Sequence, residues 1–222
     1  MKVLLINGSP HREGCTYTAL CEVSRALNDN GVDTDIFWIG NKALSGCIAC
    51  KKCQGTGKCV FNDSVNEFLE IAGDYDGFVF GTPVHWAGAT GTMTSFMDRA
   101  FYADLNGGGR RFRLKPAASV ISARRAGTTA TWDQMNKYFG LMQMPIVTSQ
   151  YWNMVGTRGL PGRRAPGSGG IADHADPGEQ YGIFHQLQEP GTENGIEIAR
   201  HGSSRAYEFY KILIMNSGKK ES

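Results

Sequence analysis

KVLLINGSPHREGCTYTAL, residues 2–20, decides the fold. The apolar run Val3-Leu4-Leu5-Ile6 stops at Gly8-Ser9-Pro10, the pattern of a strand buried on both faces at the centre of a parallel sheet. From about Thr16 the spacing turns helical, with Ala19, Leu20, Val23, Ala26 and Leu27 on one face and Gly31 placed to end it. Strand, tight loop and helix make one α/β unit.

The alternation continues downstream. VDTDIFWI (32–39) reads as a more peripheral strand, because polar residues alternate through its first half. Asp63 caps a helix marked by Val65, Phe68, Leu69 and Ala72, and GFVFGTP (77–83) is a short buried strand. TGTMTSFMDRAFY (90–102) reads as a helix, AASVISA (117–123) as a strand, TTATWDQMNKYFGLMQ (128–143) as a helix and PIVTSQYW (145–152) as a fifth strand. Five strands with interposed helices predict a doubly wound α/β three-layer sandwich. Ligands of such folds sit beyond the carboxyl ends of the strands, so loops 8–16, 82–90 and 122–128 are the candidate site.

A chain of 222 residues has room for one such domain and is short for two. Hydrophobic residues at 41% and charged residues at 20% fit a globular protein. No apolar run approaches the ~20 residues of a membrane-spanning helix, and the opening run is too short for a secretory signal, so the expected location is the cytoplasm. A net charge of +2, from 23 basic and 21 acidic residues without long runs of either, gives no footprint for nucleic acid.

Three loops carry chemistry. Gly8-Ser9-Pro10-His11-Arg12-Glu13-Gly14-Cys15-Thr16 offers free backbone N–H groups, a helix start, two hydroxyls and the Arg12 charge to a phosphate, or is an ordinary turn whose Ser and Thr cap the helix. It is neither the G-x-G-x-x-G dinucleotide pattern nor a P-loop. Gly81-Thr82-Pro83-Val84-His85-Trp86-Ala87-Gly88-Ala89-Thr90 can take a flat heterocycle against its backbone, or His85 and Trp86 simply pack at a helix start. In Ser122-Ala123-Arg124-Arg125-Ala126-Gly127-Thr128-Thr129 two cations flank the same crevice, placed for an anionic ring or a dinucleotide phosphate, or form an exposed basic turn.

GSPHREGCTYTAL, FVFGTPVHWAGATGTMTSFMDRAF, ARRAGTTATWDQMNKYF and QYWNMVG together resemble the flavodoxin-like NAD(P)H-dependent FMN reductases, particularly the branch with the iron-sulfur flavoproteins, from Met1 to about Gly156. The resemblance implies a sheet order of 2-1-3-4-5 with FMN in the crevice. It places the FMN phosphate at Ser9, Arg12, Cys15 and Thr16, and the isoalloxazine against Thr82, Pro83, Val84, His85, Trp86 and Gly88, with Ser122, Arg124 and Gly127 completing the rim. Cys15 stands where the family often has Asn, which removes an amide from the phosphate site, and His85 where it often has Tyr. The implied activity is transfer of electrons from NADH or NADPH through FMN to a flavin, quinone, nitroaromatic or redox protein. The cofactor does the chemistry, so no side chain is assigned as catalytic. The alternative is a flavodoxin-like or iron-sulfur flavoprotein electron carrier without nicotinamide activity. The resemblance also implies a homodimer or higher oligomer.

Cys47-x2-Cys50-x2-Cys53-x5-Cys59 packs four thiols into a short loop, while Cys15 and Cys21 stand apart. In a cytosolic chain such thiols are expected to be ligands, redox groups or buried thiols rather than disulfides. The spacing can wrap one [4Fe–4S] cluster, with Lys51, Lys52 and Lys58 offsetting its charge, and resembles the compact motif of the iron-sulfur flavoproteins. Zinc, reduced or redox-active thiols, or a thiol- or metal-sensing binding protein are the other readings.

Beyond Gly156 the composition changes. Residues 157–222 are rich in Gly and Pro, lack Cys, Trp and Val, and show helical periodicity only in AYEFYKILIM (206–215). The last helix that should cover the sheet beside the first has no good candidate there. Residues 1–156 are thus expected to form the domain, with 157–222 either a genuine divergent tail or the product of a shifted reading frame.

Overall fold

The computed structural model describes residues 1–148 and 153–156. In chain order the elements are β1 (Lys2–Asn7), α1 (Cys15–Asp29), β2 (Asp33–Trp38), α2 (Ser64–Ile71), β3 (Gly77–His85), β4 (Gly88–Ala89), α3 (Gly91–Asn106), β5 (Ala117–Ala123), α4 (Thr128–Leu141) and β6 (Met154–Gly156). Five strands run parallel in the order β2-β1-β3-β5-β6, and β4 folds back antiparallel on the end of β3. Counting the parallel strands alone, this is the 2-1-3-4-5 order of a doubly wound flavodoxin-like sheet.

Side chains alternate across the pleat, so each central strand feeds two cores. Leu4 and Ile6 of β1, Phe78 and Phe80 of β3 and Ile121 of β5 pack with Phe68 of α2, Phe96 and Met97 of α3, and Met135 and Phe139 of α4. Val3, Leu5, Val79 and Val120 face the other way, toward Ala19, Leu20 and Leu27 of α1. Phe68 is the hub of the first core: its ring lies 5.0 Å from Phe96, 5.6 Å from Phe112 and 5.7 Å from Phe37. The last helix expected beside α1, and the whole of 157–222, fall outside the described residues.

Three boundaries differ from the sequence reading. The α3 helix continues a turn beyond residue 102, to Asn106, where Gly107 caps it by donating to the Ala103 and Asp104 carbonyls. β3 continues through Pro83 to His85 and turns back as a hairpin with β4. The strand placed at 145–152 is corrected: Ile146 bridges to Ala117, but the ladder next to Ile121 is formed by Met154. A straight strand from Ile146 would bring residue 150 opposite Ile121. Apolar alternation marks that a strand is near, not where its register breaks. Residues 149–152 lie outside the described set.

Candidate functional site

The three candidate loops meet at the carboxyl ends of β1, β3 and β5, each tied to the other two. Loop 8–14 joins the third-strand loop through Gly8 N–H donating to the Gly81 carbonyl (2.8 Å) and the Thr90 hydroxyl donating to the Gly8 carbonyl (3.3 Å). It joins the β5 loop through the Thr16 and Ser122 hydroxyls, 2.7 Å apart and both buried. The β3 and β5 loops touch at Gly127, where an added Cβ would sit 2.7 Å from the Ala87 Cα. Gln134 of α4 secures the hairpin by accepting from the Ala89 N–H at 3.1 Å.

Asn7, fully buried at the end of β1, shapes the first loop. Its Oδ1 accepts from the Ser9 N–H (3.0 Å) and its Nδ2 donates to the Arg12 carbonyl (2.9 Å), an Asx turn that the residue type permits in any context. Trp38, beside Asn7 in the sheet, donates from Nε1 to the Ser9 carbonyl at 2.8 Å, and the Arg12 guanidinium lies 5.8 Å from its ring centre. The Ser9 hydroxyl accepts from the His11 N–H. Ser9 is buried, Arg12 exposed and Cys15 half-buried.

The N-terminus of α1 is the chemical feature of this loop. Asp63 caps α2 and Thr90 caps α3 through their side chains, whereas Gly14 precedes α1 and supplies no side-chain cap. The first turn therefore presents N–H groups of Cys15, Thr16 and Tyr17 without intrahelical acceptors, at the positive end of the helix dipole. An anion is the complementary ligand. Thr16 contributes its amide; its hydroxyl is engaged with Ser122. The α4 helix likewise starts at Gly127 with no side-chain cap, beside the exposed Arg124 and Arg125.

The remaining predicted residues line the hairpin. Thr82 is fully buried, its hydroxyl accepting from the Thr90 N–H and donating to the Pro83 carbonyl. Pro83, Val84 and Gly88 are half-buried and His85 is exposed. Trp86 and Ala87 make a two-residue turn with φ of 51° and 61°, left-handed values uncommon for side chains other than Gly, Asn and Asp, and Trp86 is wholly exposed. Such strain persists only where the surroundings over-determine it.

A second site lies further along α3, against Arg99, Tyr102 and Ala103. Cys47, Cys50, Cys53 and Cys59 line one pocket, with Phe61, Arg99 and Tyr102 in its walls. Cys47 and Cys50 are exposed and Cys53 is buried, which pushes its thiol up from the usual range. No group of three or more His, Cys, Asp or Glu among the described residues is arranged to hold a metal ion, so the four predicted ligands share a pocket without being gathered at one point. Ala49 and Lys51, between the cysteines, have φ of 52° and 60°. The loop packs backbone to backbone on the end of α3: Gly55 N–H donates to the Asn106 carbonyl at 3.0 Å. Sequence reading missed Asn7, Trp38, Arg99 and Gln134; of these only Asn7, ahead of Gly-Ser-Pro, carried a local turn signal.

A sequence model of the family described as NADPH-dependent FMN reductase matches residues 1–158. An iron-sulfur flavoprotein of Methanocaldococcus jannaschii is 32% identical over 217 residues, covering 96% of this chain and 99% of that protein. An iron-sulfur flavoprotein of Clostridioides difficile is 34% identical over 105 residues, 45% of this chain and 46% of that one. Among solved structures, an NAD(P)H:quinone oxidoreductase from Methanothermobacter marburgensis superposes with a TM-score of 0.57 at 16% identity, over 73% of this chain and 86% of its own, a likeness of fold. No helix among the described residues is long and apolar enough to cross a membrane.

Proposed function

The chain belongs to the NADPH-dependent FMN reductase family, within its iron-sulfur flavoprotein branch, and from that membership we propose that it oxidises NADPH or NADH at FMN and passes the electrons through a sulfur-ligated iron cluster to an acceptor. It is an FMN-dependent oxidoreductase. The observation that carries the proposal is the uncapped start of α1 inside three interlocked loops at the strand ends. Those orphan amides fit the phosphate of FMN, and the small and turn residues of the hairpin leave backbone to meet a flat ring.

FMN, when bound, supplies the two-electron and one-electron chemistry that no side chain of this chain provides. The Cys15, Thr16 and Tyr17 amides would hold its phosphate, with Arg12 adding charge. Val84, His85 and Gly88 would bear on the ring, and Gly127 lets the β5 loop close onto the hairpin. Arg124 and Arg125, exposed at the same mouth, are available to a dinucleotide phosphate. For the cluster, the fit rests on donor chemistry: four thiols around one pocket, a loop bent through left-handed residues, and a buried Arg99 N–H on the Cys59 sulfur at 3.2 Å.

Anaerobic mixing of the purified flavoprotein with NADPH, and separately NADH, tests the proposal. We expect the flavin absorbance to bleach within the mixing experiment for at least one of them. A flavin that stays oxidised with both, yet is reduced by dithionite, would mark the chain as an electron carrier instead.

A further inference from the structure

We infer that Arg99 is the positioning residue of the cysteine pocket: it holds the Cys59 sulfur by a hydrogen bond and thereby sets the electron affinity of the cluster bound there, with Asp63 moderating its charge. This rests on the iron-sulfur part of the proposed function and deepens it.

Arg99 is the largest fully buried side chain among the described residues. Its Nη1 and Nη2 donate to the Asp63 carboxylate at 2.8 and 2.9 Å, Nη1 also reaches the Ser45 carbonyl at 3.3 Å, and Nε donates to Cys59 Sγ at 3.2 Å. The guanidinium lies 4.8 Å from the centre of the Phe61 ring. A pair serving stability alone would need only the carboxylate, whereas here the rigid fork divides its donors between a carboxylate and a sulfur. A neutral thiol is a weak acceptor, but a metal-ligating thiolate is a strong one, so the Nε contact gains most when Cys59 is a ligand.

Cys59 is fixed from its backbone as well. Its N–H donates to Asn66 Oδ1 at 2.8 Å and its carbonyl accepts from Asn66 Nδ2 at 2.9 Å. No comparable bonds hold Cys47 and Cys50, which are exposed. Cys53 is buried and its carbonyl accepts from the Gly57 and Thr56 N–H groups at 2.9 and 3.2 Å, so Cys59 and Cys53 are the pre-set ligands toward which the two exposed cysteines close, and Arg99 is what presets the Cys59 sulfur. Hydrogen bonds to cluster sulfurs stabilise the more negative, reduced form and raise the reduction potential. The same helix carries Thr90 at the flavin crevice, nine residues and so about 14 Å earlier along α3, which places one rigid element between the two sites.

The test is an EPR-monitored redox titration, with iron, sulfide and flavin assays, on anaerobically purified wild type, R99Q, R99K and D63N. Asn is as good an N-cap as Asp, so D63N keeps the start of α2 while removing the charge that offsets Arg99. We expect the cluster midpoint to move negative in R99Q, less so in R99K, and positive in D63N, with flavin content unchanged. Shifts in opposite directions are what a merely structural role does not produce. Midpoints equal to wild type in the variants that retain a cluster would overturn the inference; if R99Q loses its iron, R99K and D63N decide it. Wild type without iron and sulfide would overturn both this inference and the cluster reading, leaving the flavin reading standing.

Discussion

Gly127→Val weakens FMN binding by about 10- to 100-fold while the protein stays folded. Gly127 has φ of +109°, and a Cβ there would lie 2.7 Å from the Ala87 Cα and 3.0 Å from Val84 Cγ1. A β-branched side chain meets both obstacles. The backbone conformation costs about 1–3 kcal/mol, and the nearest obstacle is the main chain of the hairpin turn, which cannot rotate aside. The variant relaxes by separating the β5 loop from the hairpin, and binding must restore their contact. At 1.4 kcal/mol per decade the strain alone gives roughly the stated range. Flavin fluorescence quenching measures the affinity and a thermal melt the integrity of the fold. An unchanged affinity in folded protein would mean the two loops do not close on the flavin together.

Gly107→Val has its effect at the other site. A Cβ on Gly107 would sit 2.3 Å from the Gly57 Cα and 2.7 Å from its nitrogen, so the cysteine loop must lift from the end of α3. Here the conformation is ordinary and space alone is violated, an overpacking cost of about 1–3 kcal/mol or more. We expect iron and sulfide to fall to background with flavin retained, and the shielded Cys53 of iron-free protein to become reactive toward a thiol reagent. Retention of iron with Cys53 still protected would show that the loop tolerates displacement and that its seat on α3 does not organise the pocket.

Much of this architecture was legible because local signals and global fold agree. The β5 strand, Ala117–Ala123, matches its apolar run residue for residue, and Asp63 caps α2 where its side-chain type places it. What was hidden lies in partnerships distant along the chain. Thr16 pairs with Ser122, and Arg99 with Asp63 and Cys59, across separations that no local spacing encodes. Arg99 follows Asp98 in α3 and reads from sequence as a polar helix position. The hairpin turn escaped because Trp86-Ala87 replaces the Asn-Gly type of signal that usually marks one. The position of β6 escaped because a register is a property of two strands.

The central claim is that α1 begins without a side-chain cap in order to hold a phosphorylated flavin. Parallel titration of flavin-free protein with FMN and with riboflavin, followed by fluorescence quenching, tests it most directly. The two differ by the phosphate. Charge-assisted hydrogen bonds contribute about 1.5–3 kcal/mol each, so FMN is predicted to bind at least about tenfold more tightly. Equal affinities, or no quenching by FMN in folded protein, would contradict the account.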